Sequence, residues 1–192
     1  TLSLWLSFEI LKQYEDYQYY EDAMKAFDVL EDMAAKIRKY VNNGPAQKFA
    51  ETHRNEDVIY VMGGAPAMGV AYATSICSLM EIQWIHSPTV NSAEFFHGPF
   101  ETLDRNLPIV HMVSDGRSRE EDLRCQRFME KFGEKITTID SKELGIDVLG
   151  DNVKEYFNHV FLDCAWREYL TALAIERKHP KEVRRYMWKM EY

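Results

Sequence analysis

Hydrophobic and polar positions change their period along the chain, and each change marks an element. Leu4, Phe8 and Leu11 recur at helical spacing, which predicts an amphipathic opening helix running into the charged, tyrosine-rich stretch 15–22. Ala23, Phe27, Leu30, Ala34, Ile37 and Val41 then follow alternate steps of four and three, the stripe of one long helix. Asn42-Asn43-Gly44-Pro45 closes it, a residue tolerant of positive φ followed by a proline. A shorter helix over 46–54 leads into a strand over 57–62.

From there strands and helices alternate. Residues 108–113 read as a strong strand, and 117–132 as a helix with Leu123, Phe128 and Phe132 turned inward. A further strand follows over 135–139, then an irregular stretch over 140–151 containing Gly145 and Gly150. The last long helix spans 153–178, with Phe157, Val160 and Cys164 on one stripe and Pro180 just beyond. Strand-helix alternation with short links predicts an α/β chain, a parallel sheet covered by helices on both faces.

The centre of this pattern is the stretch 58–99, which reads as strand, glycine-rich turn, apolar helix, second strand and a short aromatic segment ending in His97-Gly98-Pro99. Glu81 is the one formally charged residue between Val58 and Ala93, and it stands within the apolar run 76–84. Burial costs a carboxylate several kcal/mol, roughly, unless it is paired, hydrogen-bonded or protonated. Desolvation would also raise its pKa towards that of a useful general base. Two readings follow: a catalytic base, or a structural acid that meets an arginine from elsewhere in the fold. Sixteen residues later stands His97, of the residue type best placed to move protons near neutrality. His53, His86 and His111 share no metal-ligand spacing with it and read as structural.

The turn Gly63-Gly64-Ala65-Pro66-Ala67-Met68-Gly69 lies between strand and helix, where doubly wound folds place ligands. Its backbone amides can hold an anion at the helix start, or its glycines can serve chain reversal and close packing alone. It matches neither GxGxxG nor a Walker loop and carries no hydroxyl for a phosphate. Asn91 and Glu94 have the spacing of a capping box. Near the end, Arg177, Lys178, Lys181, Arg184, Arg185 and Lys189 form a basic run against Glu182. Its aromatic interleaving, Arg184-Arg185-Tyr186-Met187-Trp188, predicts a tail docked on the domain with arginines available to phosphate or carboxylate.

Composition narrows the function. The 192 residues suit one domain, and 46% hydrophobic with 28% charged content is that of a globular protein. A formal net charge of -8 opposes general affinity for nucleic acid or anionic membrane. Cys77, Cys125 and Cys164 form no CxxC pair, so free thiols and a cytoplasmic location are expected, with no zinc site. The chain starts at Thr1 directly in a helical pattern, which suggests part of a longer polypeptide.

The stretches ICSLMEIQWIHS and SAEFFHGPFETLD, with the ending HPKEVRRYMWKMEY, resemble the sugar isomerase (SIS) domain family. Within it the likeness is to the fructosamine-6-phosphate deglycases, among them those for 6-phosphofructose-aspartate and fructoselysine 6-phosphate, and it covers essentially the whole chain. The resemblance implies a flavodoxin-like parallel sheet sandwiched by helices. On it, 1–55 would be the helices joining two SIS halves, and 56–192 the second SIS subdomain with a docked tail. It implies Glu81 as catalytic base and His97 as acid; from the turn and the tail, Gly63, Gly64, Ala65, Arg185 and Tyr186 are the substrate-binding candidates. In the related glucosamine-6-phosphate synthase a similar histidine assists ring opening across a subunit boundary, which implies a homo-oligomer, a dimer with shared sites. Phe95 and Phe96, large aromatics beside His97, point the same way if left in water.

The expected reaction is hydrolysis of a 6-phosphofructosyl amino acid to glucose 6-phosphate and the amino acid, with no metal or organic cofactor. An aldose–ketose isomerase of the same family and a non-catalytic phosphosugar sensor are the alternatives. Two departures stand out: the phosphate-binding Ser/Thr loops of such enzymes lie mainly in the first subdomain, and Lys189 is a poor match for the synthase's catalytic lysine.

Overall fold

The computed structural model describes residues 1–191; Tyr192, the last residue of the familiar ending, lies outside the described residues. Four strands, β1 (Tyr60–Gly63), β2 (Thr89–Asn91), β3 (Ile109–Val113) and β4 (Ile136–Asp140), form a wholly parallel sheet in the order β2-β1-β3-β4. This is the α/β architecture that the alternation implies. Its register is fixed by burial on both faces. Val61, Val110, Met112 and Ile139 enter the larger core, while Met62 and Ile109 enter a smaller one on the other side. β3 is buried at all five positions and β1 at three of its four, the signature of strands covered on both sides.

The helices are α1 (Leu2–Glu15), α2 (Tyr20–Asp28), α3 (Leu30–Asn42), α4 (Pro45–His53), α5 (Ala65–Ala73), α6 (Arg119–Phe132) and α7 (Asn158–Glu176). α7 is the axis of the larger core: Phe161, Leu162, Ala165, Trp166, Leu170 and Leu173 are buried against α3, α4 and α5. Trp166 packs edge-on to Phe49 of α4, ring centroids 5.7 Å apart. Truncating such a residue to alanine costs about 3–5 kcal/mol.

The long helix expected over 23–41 is two helices. Val29 leaves the helical range, with ψ near -6°, and α3 restarts with the Met33 N–H bonded to the Val29 carbonyl. The bend moves the buried face from Ala34 to Met33, Ile37 and Val41. Gly44, at φ 131°, then reverses the chain ahead of Pro45, as the Asn-Asn-Gly-Pro run predicts. The inward face of α6 also differs from expectation. Asp122, Cys125 and Met129 point in, and Phe132 is 45% exposed. Of the expected Leu123, Phe128 and Phe132, Phe128 is half-buried and packs on the smaller core, Leu123 is half-buried, and Phe132 is the one that turns outward.

The apolar helix after β1 changes character half-way. α5 continues over Thr74–Ile82 as a π-helical turn, with Gln83 N–H bonded to the Ser78 carbonyl five residues back. The buried positions Ala67, Ala71, Thr74 and Ser78 would, at 3.6 residues per turn, continue to 81–82. The wider turn rotates Glu81 out of that stripe and leaves Leu79 buried instead.

Candidate active site under the C-terminal tail

Glu81 lies at the rim of the larger core, in a groove of about 820 Å³ between the π-helical turn and the tail that follows α7. Met80, Trp84, Ile85 and His86 form one wall, and Arg184, Arg185, Tyr186, Met187 and Met190 the other. One expectation about Glu81, its burial, is corrected here, and the partner that one of its two readings required is present. It is half-buried, with 31% of its side chain exposed, and it has a cation beside it: Arg184 Nε and Nη2 both lie 3.0 Å from Oε1. This is the arginine from elsewhere in the fold that the structural reading called for. It takes only Oε1; Oε2 accepts no hydrogen bond among the described residues. The carboxylate is thus held by one oxygen and open by the other.

The tail that supplies Arg184 is stapled to the domain along its length. Arg177 donates to the carbonyls of Arg54, at 2.7 Å, and of Gln83, while buried Gln83 donates to the His179 carbonyl at 3.1 Å. Trp84 stands between tail and helix at φ 57°, a left-handed conformation that a bulky residue adopts only under constraint. One face of its indole receives the Arg185 guanidinium 4.3 Å from the ring centroid, and the ring meets His179 edge-on at 4.4 Å. Arg185 itself makes no ion pair among the described residues and is exposed to the groove.

The other sequence candidates go elsewhere. Gly63 and Gly64 are buried, and their lack of side chains serves packing. A Cβ on Gly63 would lie 3.0 Å from that of Ala67, and one on Gly64 would lie 2.8 Å from Asp122 Oδ1. The ligand position at the carboxyl ends of β1 and β3 therefore holds a carboxylate of the protein's own, which opposes an anion there. Asp122 is wholly buried, accepts from the Ser114 N–H and hydroxyl at 3.2 Å, and stands 3.8 Å from His111 Nε2. Burial pushes its pKa up, but His111, Ser92 and the Ser114 N–H outweigh that and hold the carboxyl below its usual range. Ala65 faces a separate depression with Arg38, His159 and Arg167.

His97 ends a short 3-10 turn (Ser92–His97) and is exposed, outside the groove. Asn91 caps that turn by accepting from the Ala93 N–H at 3.0 Å, and Glu94 points to solvent, so half of the capping box forms. Phe95 is buried and Phe96 half-buried, both packed on Phe128 of α6. Their apolar surface is covered within the chain, and the expectation that they need a second subunit loses that support. His86, read as structural from the sequence, is exposed and lines the groove with Glu81. It comes after the π-helical segment ends, in the extended stretch that bridges to Val58, and nothing in the local sequence pattern marked it.

No family model matches the chain. Among curated proteins, it is 38% identical to fructosamine deglycase FrlB of Bacillus subtilis (strain 168) over 96% of its own length and 56% of the relative's. It is 27% identical to fructoselysine 6-phosphate deglycase of Escherichia coli (strain K12) over 67% of this chain and 36% of that one. Among solved structures, a Salmonella typhimurium LT2 protein assigned as a phosphosugar isomerase superposes with a TM-score of 0.96 at 42% identity, covering 99% of this chain and 58% of that one. The C-terminal domain of glucosamine-fructose-6-phosphate aminotransferase from Francisella tularensis, at 17% identity and a TM-score of 0.69, shares the fold. The chain thus spans little more than half the length of the first relatives it matches.

Proposed function

From a chain with the sugar isomerase fold, homologous along nearly its whole length to a fructosamine deglycase, we propose hydrolysis of fructosamine 6-phosphates. One observation carries this reading: a glutamate held through one oxygen, its other oxygen open to a groove that also contains the unpaired cation Arg185.

The substrate is a 6-phosphofructose with an amine nitrogen at C1. Glu81 Oε2 takes a C1 proton, and the electron pair moves to C1–C2 as the C2 oxygen gains a proton from the acid, giving an enolamine. Glu81 returns its proton to C2 and leaves an imine at C1. Water adds to that imine, the C–N bond breaks, and glucose 6-phosphate and the free amine leave. Such acid–base positioning contributes about 10²–10⁴-fold per proton transfer. Arg184 keeps the carboxylate oriented without occupying the reacting oxygen. Arg185 and Tyr186 bound the substrate from the tail side, and His97 supplies the acid to the groove of a second copy in a homodimer. Three dispersed thiols fit the reducing cytoplasm, where we place the protein.

The test is release of glucose 6-phosphate from 6-phosphofructosyl glycine by the full-length protein, with Glu81→Gln and His97→Asn variants assayed singly and mixed under subunit exchange. Each single variant is expected to be inactive. The mixture is expected to recover up to about a quarter of wild-type activity, the share of intact sites in randomly paired two-fold dimers. Interconversion of glucose and fructose 6-phosphates with no release from the adduct supports the isomerase reading instead. Inactive His86→Asn with active His97→Asn moves the acid to the histidine already in the groove.

A further inference from the structure

The two edges of the sheet differ. β2, at one edge, has three residues, is entered through Pro88 and ends directly in a 3-10 turn, so it offers little to pair with. β4, at the other, has five residues, and its centre Ile136-Thr137-Thr138-Ile139 is β-branched throughout, without proline, glycine or charge. The charges that flank this centre are already engaged, Lys135 with Glu56 and Asp140 with Arg119. Ile109 N–H donates to the Lys135 carbonyl and Ser141 N–H to the Val113 carbonyl, so β3 bonds to the odd-numbered residues of β4. The N–H and C=O groups of Ile136 and Thr138 point the other way, to an edge that no strand covers among the described residues.

A cavity of about 360 Å³ runs along that edge, between β4 and α4. Phe49, Ile139 and Leu144 make much of its lining apolar. Tyr169 also lines it, only 5% exposed, and its hydroxyl has no hydrogen-bond partner among the described residues. Burial, with Tyr40 and Glu143 nearby, pushes that hydroxyl's pKa up to about 12, so it stays a donor at neutral pH. Lys48 and Glu143 also line the recess, both exposed and neither in an ion pair among the described residues, so it favours neither sign of charge.

We propose that β4 is a pairing edge: an extended, uncharged segment of a partner polypeptide adds to it as a fifth strand and lays alternate side chains in the recess against Tyr169. The outward backbone groups of Ile136 and Thr138 then find the partners they lack, the mode of recognition known as strand addition. A second copy of this chain fits poorly, because it offers the same recessed edge, and two recessed edges cannot close to the ~4.8 Å of paired strands. The inference is independent of the deglycase reading, since this recess and the groove at Glu81 share no lining residue.

The experiment uses the full-length protein and a probe peptide, acetyl-Thr-Val-Thr-Val-Thr amide. Two N-methylated versions accompany it, one blocked at the second and fourth residues and the other at the first, third and fifth. Affinity is read by calorimetry, and edge pairing by hydrogen exchange at the Ile136 and Thr138 amides. Only alternate peptide N–H groups face β4, so one methylated version is expected to bind at least about tenfold more weakly than the parent, and the other nearly as well. Both amides are expected to exchange fast in the free protein and slowly with the parent peptide bound. Thr138→Pro removes an N–H that β3 does not use, so it is expected to melt close to the wild type and to lose the peptide. Should it fail to fold, the methylated pair decides. Tyr169→Phe is expected to weaken binding several-fold, and unchanged affinity there overturns the contact with the recess. Equal weakening by both methylation patterns overturns the inference, as does wild-type affinity in a folded Thr138→Pro or no binding at about 1 mM parent peptide. Slow exchange at Thr138 without peptide overturns it too, because another part of the polypeptide then covers the edge.

Discussion

Glu81 and Asp122 are carboxylates on helical segments that cover opposite faces of one sheet, and their surroundings differ in kind. Asp122 is wholly buried, and every group near it belongs to the rigid body of the fold: Ser114 and His111 on or beside β3, Ser92 after β2, Gly64 after β1. Glu81 is half-buried, and its partner comes from a tail 103 residues away in sequence. The first acid has partners that cannot leave without dismantling the sheet. The second has a partner held by a few contacts at the surface, and an oxygen to spare. A carboxylate that must exchange a proton with a passing substrate needs the second arrangement, and one that locks strand ends together needs the first.

Breaking each acid in turn separates the two roles. Glu81→Gln keeps the shape and removes the proton acceptor, so turnover is expected to fall by about two orders of magnitude or more while the melting temperature hardly moves. Retention of a tenth of wild-type activity defeats the assignment. Asp122→Ala is expected to do the reverse and unfold the protein early. Removing one partner of a buried pair costs about 3 kcal/mol, or roughly 6–12 °C in melting temperature for a domain of this size. Calorimetry of the two variants side by side is the measurement.

Acid titration sharpens the contrast. The folded pKa of Asp122 is held below its usual value, so its contribution to stability is complete above about pH 4, the unfolded value, and disappears as pH falls through the lower folded pKa. Asp122→Asn is therefore expected to begin less stable at neutral pH and to lose less on acidification, seen as a flatter acid limb in denaturant midpoints against pH. The smallest effect belongs to the ion pair at the groove. Arg184→Met removes a partly exposed contact, and its stability change should stay under about 1 kcal/mol. A larger loss there would mean that the tail supports the fold as firmly as α7 does.

The sequence pattern overstated the burial of one acid and did not single out the other. Glu81 stands alone among apolar neighbours and reads as buried, whereas Asp122 follows Arg119, Glu120 and Glu121 with nothing local to distinguish it. Local pattern reports the neighbours along the chain, while burial is set by neighbours in space. β1 and β3 were legible as short, mostly apolar runs, and β4 as the β-branched stretch Ile136-Thr137-Thr138-Ile139. The Gly44-Pro45 boundary was legible because its backbone demands those residues. The π turn left no trace in TSICSLMEI, whose composition suits either helix, and it is the feature that turns Glu81 outward. The tail's docking could be read from its interleaved aromatics. That Arg184 would meet Glu81 and Arg185 would stack on Trp84 could not, because pairing across more than a hundred residues is settled by packing.

The distance in sequence between Glu81 and Arg184 also sets a schedule. At about 5–20 residues per second of synthesis, Arg184 follows Glu81 by roughly 5–20 seconds. The sheet positions β1 to β4 are all made before the tail, so the domain can collapse while Glu81 still lacks its cation and Trp84 its stacking partner. The groove is therefore the last part of this chain to acquire its wall, since Arg184 to Met190 are made after every strand and after α7.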